Sequence, residues 1–212
     1  MAFLVGNEGK VIGVDRSEHF IQFLNGIKNQ YQLNIDAQYT DFDNMILETN
    51  SLDGMYCRWA LAWIPNPQEI LIKVRDAMKT GGKMVIHEYF DWSTLQTEPR
   101  KEALATGIAA TLKSFKDQDA EIDIGRYLPK IFEEIGMKVN SIRLMLKLST
   151  PDDFNWQWPK TFFKSYFPRL IGTQYLSFEE VNDALKEMAE LEEIKGATLC
   201  TPLMVEVISE KV

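Results

Sequence analysis

The chain has 212 residues and a formal net charge of −8, and hydrophobic residues make up 45% of it. This length suits one domain with a sizeable core, and no apolar run approaches a membrane span. The acidic balance argues against nucleic acid as a partner, because phosphate binding needs clustered Lys and Arg. Two cysteines and two histidines without ligand spacing predict reduced thiols, a cytoplasmic location and no metal site.

Two strands and a helix are predicted in the first fifty residues. Val11–Asp15 is an apolar run that ends in an acid, and Ser17 is a suitable N-cap for the helix that follows. Tyr31–Ala37 is the next predicted strand. In nucleotide-binding α/β folds, an acid at the end of the second strand bonds ribose hydroxyls. Asp15, at the end of Val11–Asp15, fits that role. The alternative for Asp15 is a simple cap of the strand end.

The stretch that follows has the pattern of a right-handed βαβ unit. Leu52–Cys57 is a short strand, and a helix begins at Pro67, which suits the first helical turn. Gly81-Gly82 is predicted to end this helix, and Lys83–Tyr89 forms the second strand, parallel to the first. Ligands bind beyond the carboxyl ends of such strands. The residues predicted on this rim are Arg58, Trp59, Glu88, Tyr89, Asp91 and Trp92.

The remainder of the chain is predicted to contain helices at 99–115 and 123–135 and strands at 137–148 and 201–209. Residues 149–200 lie between the last two strands, carry many aromatic residues and include a capping-box pattern that begins at Ser177. We expect this insertion to form a helical cap over the ligand side. A helical cover for a sheet face and a dimer interface are the alternatives. The predicted domains are therefore a core of residues 1–148 and 201–212 and a cap of residues 149–200.

Several short motifs in this order carry a family resemblance. They are Asp53-Gly54, Arg58-Trp59-Ala60-Leu61, Pro65-Asn66-Pro67, Lys79-Thr80-Gly81-Gly82 and His87-Glu88-Tyr89-Phe90-Asp91-Trp92. From about Gly9 to its end, the chain resembles class I S-adenosylmethionine-dependent methyltransferases of the small-molecule branch. The resemblance implies an α/β fold with a Rossmann-like, mostly parallel sheet and an antiparallel last strand. It also implies S-adenosyl-L-methionine as cofactor and methyl transfer to a small molecule. A dinucleotide-dependent dehydrogenase would share Asp15 but not these motifs.

The resemblance assigns cofactor contacts to two sets of strand ends. In the family, an acid at the end of the second strand bonds the cofactor's ribose, and Asp15 is its counterpart here. An acid near the end of the third strand reaches the adenine, and Asp36 is the candidate, although the nearby Asp41 and Asp43 leave this choice open. For Arg58, a salt bridge with Asp53 or Glu88 is the alternative. The implied cofactor-binding residues are Asp15, Arg16, Asp36, Ala37, Arg58 and Trp59.

Candidate catalytic and substrate-binding residues follow from the same rim. Methyl transfer needs a general base only if the acceptor starts protonated, and Glu88 and His87 are the candidates. A structural role inside the strand is the alternative for His87. Aromatic walls suit a flat or apolar substrate, although part of the set would also serve as ordinary core. The candidate substrate-binding residues are Trp63, Tyr89, Trp92, Trp156 and Trp158.

One part of the family pattern is not found before the first predicted strand. The family begins with a strand and a glycine-rich cofactor loop, about 25–30 residues upstream of the position of Val11. Only ten residues precede Val11, so we expect this first strand to be missing from the sheet. Truncation, a strand from a partner chain, or direct pairing of the flanking strands would account for it. The alternative function is therefore a non-catalytic module that forms a homodimer or binds a partner.

Overall fold

The computed structural model describes residues 1–118 and 120–212. The helices of this described part are α1 Ala2–Val5, α2 Glu18–Tyr31, α3 Pro67–Ala77, α4 Glu102–Lys116, α5 Leu128–Glu134, α6 Gln157–Gly172 and α7 Phe178–Glu192. The strands are β1 Val11–Asp15, β2 Ile35–Tyr39, β3 Leu52–Arg58, β4 Met78–Asp91, β5 Gln96–Glu98, β6 Met137–Met145, β7 Leu148–Ser149, β8 Thr198–Cys200 and β9 Leu203–Lys211. These elements form two compact units, Met1–Ser51 and Leu52–Val212.

The first unit is a β–α–β arrangement with two parallel strands. Strand β1 pairs with β2 from Val11 opposite Ile35 to Asp15 opposite Tyr39. The predicted cap of α2 is confirmed, because the Ser17 hydroxyl accepts the Phe20 N–H. Helix α2 packs closely on β1 where Gly13 has no side chain.

The second predicted strand was placed four residues too early. Helix α2 continues to Tyr31 and ends where Gln32 takes a left-handed conformation, with φ 51°. Strand β2 therefore begins only at Ile35. The apolar residues that indicated a strand at positions 31 and 33 belong to the helix end and to the turn after it.

The second unit contains a four-stranded sheet in the order β3-β4-β9-β6. Strands β3 and β4 are parallel, and β9 runs antiparallel between β4 and β6. This confirms the predicted antiparallel last strand. The sheet's parallel part in this unit is a single pair of strands. Strand β1 pairs with β2 in one sheet, and β3 pairs with β4 in another.

The two faces of this sheet differ in burial. Met84 and Ile86 of β4 and Val205 and Val207 of β9 are buried on one face, which α3 and α5 contact. The residues that alternate with these four along β4 and β9 are only half-buried. The alternation follows the pleat of the strands, since successive side chains point to opposite faces. The half-buried face carries His87 and Glu206 as well as Val85 and Ile208, whereas the buried face forms the core.

The helix before β4 ends earlier than predicted. Helix α3 stops at Ala77 because Met78 is extended and pairs with Leu52. The pairing then skips to Gly54 opposite Lys83, which makes a bulge at the start of β4. Gly81 has a φ of 81° in this bulge. The glycine pair therefore serves a strand irregularity instead of a helix end.

The last third of the chain folds mainly as helices around a small second sheet. The predicted long strand of residues 137–148 is divided, because β6 ends at Met145 and β7 joins a three-stranded sheet in the order β5-β8-β7. Helices α6 and α7 pack on each other and on α4. The capping box of α7 is confirmed, since Ser177 and Glu180 each accept the other's backbone N–H. None of the helices in the described residues is long and apolar enough to cross a membrane.

Candidate active site

The carboxyl end of β3 continues into a tight turn that carries Arg58 and Trp59. Trp59 has a left-handed backbone conformation with φ 55°, which is uncommon for a bulky residue. Its N–H donates to the His87 carbonyl at 3.1 Å, so the turn stays attached to β4. The Arg58 guanidinium lies 3.7 Å from the centre of the Trp59 ring. The alternative for Arg58, a salt bridge with Asp53 or Glu88, is not found among the described residues, where Asp53 pairs with Lys79 and Glu88 accepts backbone N–H groups.

Glu88 lies at the carboxyl end of β4 and is fully buried. Its Oε1 accepts the backbone N–H groups of Ala60 and Leu61, both at 2.9 Å. Its Oε2 is buried and has no hydrogen-bond partner among the described residues. Burial raises the pKa of Glu88 to about 7, against the smaller opposing effect of the two N–H donors. Similar surroundings raise the pKa of the half-buried Cys57 thiol to about 12, through desolvation and then the nearby Glu88 charge.

Tyr89 near the end of β4 and Trp92 directly after it extend the site as buried aromatic residues. The Tyr89 ring stacks on Trp59 at 5.7 Å between centroids and meets Trp92 edge-on at 6.4 Å. Burial, followed by the nearby Glu88 charge, raises the pKa of the Tyr89 hydroxyl well above its ordinary value. Trp92 packs edge-on against Phe115 of α4. The predicted rim residues Trp59, Tyr89 and Trp92 are thus brought together.

Helix α6 adds an aromatic stripe to the same site. Trp158, Phe162 and Tyr166 are four residues apart, so they share one face of the helix. Trp158 stacks on Trp59 at 5.4 Å, and Phe162 meets Trp92 at 6.1 Å. We call these rings the aromatic cluster. Its members are Trp59, Tyr89, Trp92, Phe115, Trp158, Phe162 and Tyr166.

The structure does not bring Trp156 into this cluster. Its side chain is 0% exposed, and the indole N–H donates to Oε1 of Glu192 on α7 at 3.0 Å. Lys160 donates to the other oxygen of Glu192 at 2.7 Å. Trp156 therefore anchors the start of α6 to α7 and does not line the cluster. Trp63 lies at the border of the cluster, 37% exposed and edge-on to Phe115 at 5.0 Å.

His87 lies in a row of polar side chains on the half-buried sheet face. Its Nδ1 is 3.3 Å from the Tyr56 hydroxyl, and its Nε2 is 2.8 Å from Oε2 of Glu206. Arg143 donates to both oxygens of Glu206, at 3.0 and 3.1 Å. Arg143 and then His87 lower the pKa of Glu206 below its ordinary value. The row crosses all four strands, so both nitrogens of His87 are engaged within the sheet.

Asp91 and Asp123 stabilise the chain around Trp92. Asp91 accepts hydrogen bonds from the Ser93 N–H and hydroxyl and forms a salt bridge with Arg126 at 3.0 Å. Asp123 accepts the Trp92 N–H at 2.8 Å. Asp91 was predicted on the rim, and these contacts place it there as a partner of the loop backbone.

In the first unit, Asp15 stands at the carboxyl end of β1. Its Oδ1 accepts the Ser17 N–H at 2.7 Å, and its other oxygen makes no hydrogen bond within the described residues. Arg16 follows and is exposed. The Thr40 N–H donates to the Asp15 carbonyl, so the residues after β2 lie beside Asp15. This end of the two strands therefore carries a carboxylate with a free oxygen.

The structure places Asp36 and Ala37 away from that end, which corrects their predicted position. Asp36 is the second residue of β2, opposite Ile12, and forms a salt bridge with Lys10 at 3.1 Å. Lys10 is the main cause that lowers the pKa of Asp36. Ala37 is central in the strand, opposite Gly13. The acids that follow the carboxyl end of β2 are Asp41 and Asp43.

Three residues of the site were not singled out from the sequence. Phe115, Phe162 and Tyr166 carry no motif, since aromatic residues at helical spacing usually form core. The run of aromatics in residues 154–167 was the available signal. This run could not show which of the rings faces the strand ends, because that depends on the orientation in which α6 packs on α4. No group of three or more metal-ligating side chains is found in the described part of the chain.

A sheet whose antiparallel last strand lies between its neighbours is typical of the Rossmann-like methyltransferase fold. Residues 1–139 match the family model described as "Methyltransferase domain". The chain therefore belongs to this family of S-adenosylmethionine-dependent methyltransferases, and S-adenosyl-L-methionine is the cofactor of the family.

Curated relatives match a shorter part of the chain. The ubiquinone biosynthesis O-methyltransferase of Coxiella burnetii strain Dugway 5J108-111 is 32% identical over 74 residues. The same enzyme of strain RSA 493 matches equally. The match takes in 35% of this chain and 32% of the relative. The chain thus spans about a third of the length of the curated relatives it matches.

Solved structures share the fold over nearly the whole chain. A protein from Bacillus halodurans C-125, described as a candidate methyltransferase, has a TM-score of 0.62 and 13% identity, covering 96% of this chain and 83% of that one. Phosphoethanolamine N-methyltransferase 2 of Haemonchus contortus, in complex with phosphomonomethylethanolamine and S-adenosylhomocysteine, has a TM-score of 0.55 and 13% identity, covering 95% and 43%. Geranyl diphosphate methyltransferase in complex with S-adenosylmethionine has a TM-score of 0.53 and 10% identity, covering 96% and 69%. At these identities the likeness shows the fold alone.

Proposed function

We propose that this chain transfers the methyl group of S-adenosyl-L-methionine to a small molecule held against the aromatic cluster. The cluster at the carboxyl ends of β3 and β4 is the observation that carries this proposal. Stacked rings offer a flat, apolar surface, and their faces favour a cationic group such as a sulfonium. The acceptor is therefore a small molecule with a flat or apolar part.

The described residues fit the cofactor in each unit taken separately. In the first unit, the free oxygen of Asp15 suits a ribose hydroxyl, and Asp41 is the acid placed for the adenine end. In the second unit, Arg58 offers guanidinium donors to a carboxylate, and the buried indole N–H of Trp59 has no partner among the described residues. The bound cofactor supplies a methyl group that is already electrophilic, so the protein's part is to hold and orient the reactants.

Catalysis in this proposal depends on positioning and on exclusion of water. His87 is an unsuitable base, because both of its ring nitrogens are engaged by Tyr56 and Glu206. Asp91 is likewise engaged by Ser93 and Arg126. We therefore expect an acceptor atom that reaches the site with a free electron pair and needs no strong base.

Replacement of Trp158 tests this function. Trp158→Ala should lower the kcat/KM for methyl transfer at least roughly tenfold through a higher KM, because the acceptor loses one stacking surface. The assay measures S-adenosylhomocysteine release with a panel of small amines, phenols and carboxylic acids. Phe154→Ala is the matched control, since Phe154 is an exposed aromatic residue in the same segment. Equal activity of the wild type and Trp158→Ala would overturn the assignment of the acceptor to the cluster.

A second candidate function, a non-catalytic dimeric or partner-binding module, is favoured by the apolar surface of the first unit. Phe3 and Leu4 of α1 and Phe20 and Phe23 of α2 are each at least 60% exposed. Exposed apolar side chains in such numbers are typical of surfaces that another chain covers. Light scattering over a range of concentrations tests it. A strict monomer at all concentrations, with turnover in the assay above, would remove this candidate.

A further inference from the structure

The backbone of Trp59 is held in an unfavourable conformation by its surroundings. A left-handed backbone conformation is unfavourable for a residue with a bulky side chain, so a free turn would leave it. In this conformation the Trp59 indole lies flat on Tyr89, with 11° between the rings, and on Trp158, with 27°. The ring surface of the cluster thus depends on a backbone conformation that tryptophan does not favour on its own.

Glu88 supplies the contacts that hold this turn. Its Oε1 accepts both backbone N–H groups that follow Trp59, those of Ala60 and Leu61. Neither N–H is bonded within a helix or strand, because Ala60 is the N-cap and Leu61 the first residue of the 3-10 segment Leu61–Trp63. A carboxylate that accepts two backbone N–H groups inside the protein forms strong, charge-assisted hydrogen bonds. The contacts of Glu88 therefore define the path of the chain immediately after Trp59.

We propose that Glu88 is a positioning residue, which holds Trp59 in its left-handed conformation and so forms the ring surface that receives the acceptor. The role in methyl transfer rests on the proposed function, whereas the effect on the Trp59 conformation does not. Proton transfer is the competing role for Glu88. It is disfavoured because Oε1 is occupied by two donors and Oε2 has no exposed surface from which to reach an acceptor.

Two substitutions at position 88 separate these roles. Glu88→Gln keeps a carbonyl oxygen for the two N–H groups but cannot accept a proton, whereas Glu88→Ala removes the acceptor altogether. The first readout is the circular-dichroism signal of the stacked Trp59–Trp158 pair, identified as the signal that Trp158→Phe abolishes. Glu88→Ala should lose most of this signal, and Glu88→Gln should retain most of it. Retention of the full signal in Glu88→Ala would overturn the proposal.

The second readout is methyl transfer with the panel of acceptors described above. Glu88→Ala should raise KM at least roughly tenfold, and Glu88→Gln should restore most of that loss. A large fall of kcat in Glu88→Gln with the circular-dichroism signal intact would instead assign Glu88 to proton transfer. If the wild type shows no turnover, the proposed function fails, and the circular-dichroism result still decides the positioning role.

A double-mutant cycle keeps the test valid if Glu88→Ala proves unstable. Glycine adopts φ 55° without strain, so Trp59→Gly removes the need for a residue that holds the turn. The decrease in melting temperature caused by Glu88→Ala should therefore shrink to about half or less in the Trp59→Gly background. An unchanged decrease would show that Glu88 stabilises the fold independently of Trp59, and the proposal would be wrong.

Discussion

Glu88 is the carboxyl group whose ionisation the fold opposes most clearly, because burial raises its pKa from an ordinary value of 4.5 to about 7. A raised pKa in the folded state means that folding favours the protonated form. The corresponding stability is fully present below about pH 4.5 and is lost as the pH rises through about 7. The difference amounts to about 3 kcal/mol at most.

The pH dependence of stability should therefore change in Glu88→Gln. We expect the difference in unfolding free energy between wild type and Glu88→Gln to shift in favour of the glutamine variant between pH 5 and pH 8. Chemical denaturation at several pH values measures it. Glu180→Gln is the control, since the pKa of this exposed carboxylate is lowered by its Ser177 contacts. A difference that is independent of pH would contradict the raised pKa of the buried Glu88.

Replacement of Trp156 and replacement of Trp158 should reduce the stability of the protein by different amounts. Trp156→Phe removes the N–H that donates to Glu192 of α7, and we expect it to destabilise the protein by about 1–2 kcal/mol. Trp158→Phe keeps an aromatic ring in the stack and should cost less. Thermal unfolding of the two variants measures the difference. A larger loss for Trp158→Phe than for Trp156→Phe would contradict the assignment of Trp156 to the structural anchor.

At the residue scale, strand ends were predictable and strand registers were not. Trp59, Glu88 and Tyr89 were placed correctly, because a parallel βαβ unit fixes which residues reach the rim. Asp36 was misplaced because α2 continues to Tyr31 and ends at the left-handed Gln32, and glutamine gives no sequence signal for such a helix end. The tryptophans of the cap could not be separated by sequence, since the burial of Trp156 depends on Glu192, 36 residues away.

At the scale of elements, α4 and α6 pack where one residue has no side chain. A Cβ atom at Gly107 of α4 would lie 2.7 Å from the buried ring of Phe167 on α6. Gly107→Leu should therefore destabilise the second unit by about 1–3 kcal/mol or more, since the ring has no space to move. Gly172→Leu at the end of α6 is the matched control, because a Cβ there meets nothing within 4 Å. Thermal unfolding of both variants measures it, and equal melting temperatures would contradict this packing.

The polar row on the sheet makes a separate prediction. Arg143 and His87 lower the pKa of Glu206, so its contribution to stability is present above about pH 4.5 and is lost as the pH falls below it. Glu206→Gln should cost about 1–2 kcal/mol at pH 7 and less at pH 3. Glu210→Gln serves as control, since Glu210 on the same strand has a single amide partner, Asn140. Denaturation at both pH values decides, and a cost that is equal at pH 3 and pH 7 would contradict the role of the charge.

Elements with local signals were predicted well. The βαβ unit, the Ser17 cap and the Ser177 capping box each follow from neighbouring residues. The division of β6 from β7 and the bulge at Gly81 did not follow, because both depend on which strand lies alongside. Pairing partners are set by tertiary contacts, and a single sequence does not display them.

On the scale of the whole molecule, six strands of the described residues form two hydrogen-bonded sets, β1-β2 and β3-β4-β9-β6. The two sets belong to different compact units. The candidate cofactor-binding residue Asp15 ends β1 of the first set, and the candidate Trp59 follows β3 of the second. The family assignment identifies the cofactor, whereas the aromatic cluster is the proposed binding site of the acceptor. We therefore predict that this chain binds the cofactor.

The measurement that tests this claim most directly is calorimetric binding of S-adenosylhomocysteine to the purified chain. We predict binding that Asp15→Ala weakens at least roughly tenfold, because a buried or part-buried hydroxyl contact of a carboxylate is lost. Asp36→Ala is the matched control and should leave the affinity unchanged, since Asp36 pairs with Lys10 away from the ligand end. Absence of binding to the folded chain, or equal losses in Asp15→Ala and Asp36→Ala, would contradict the account.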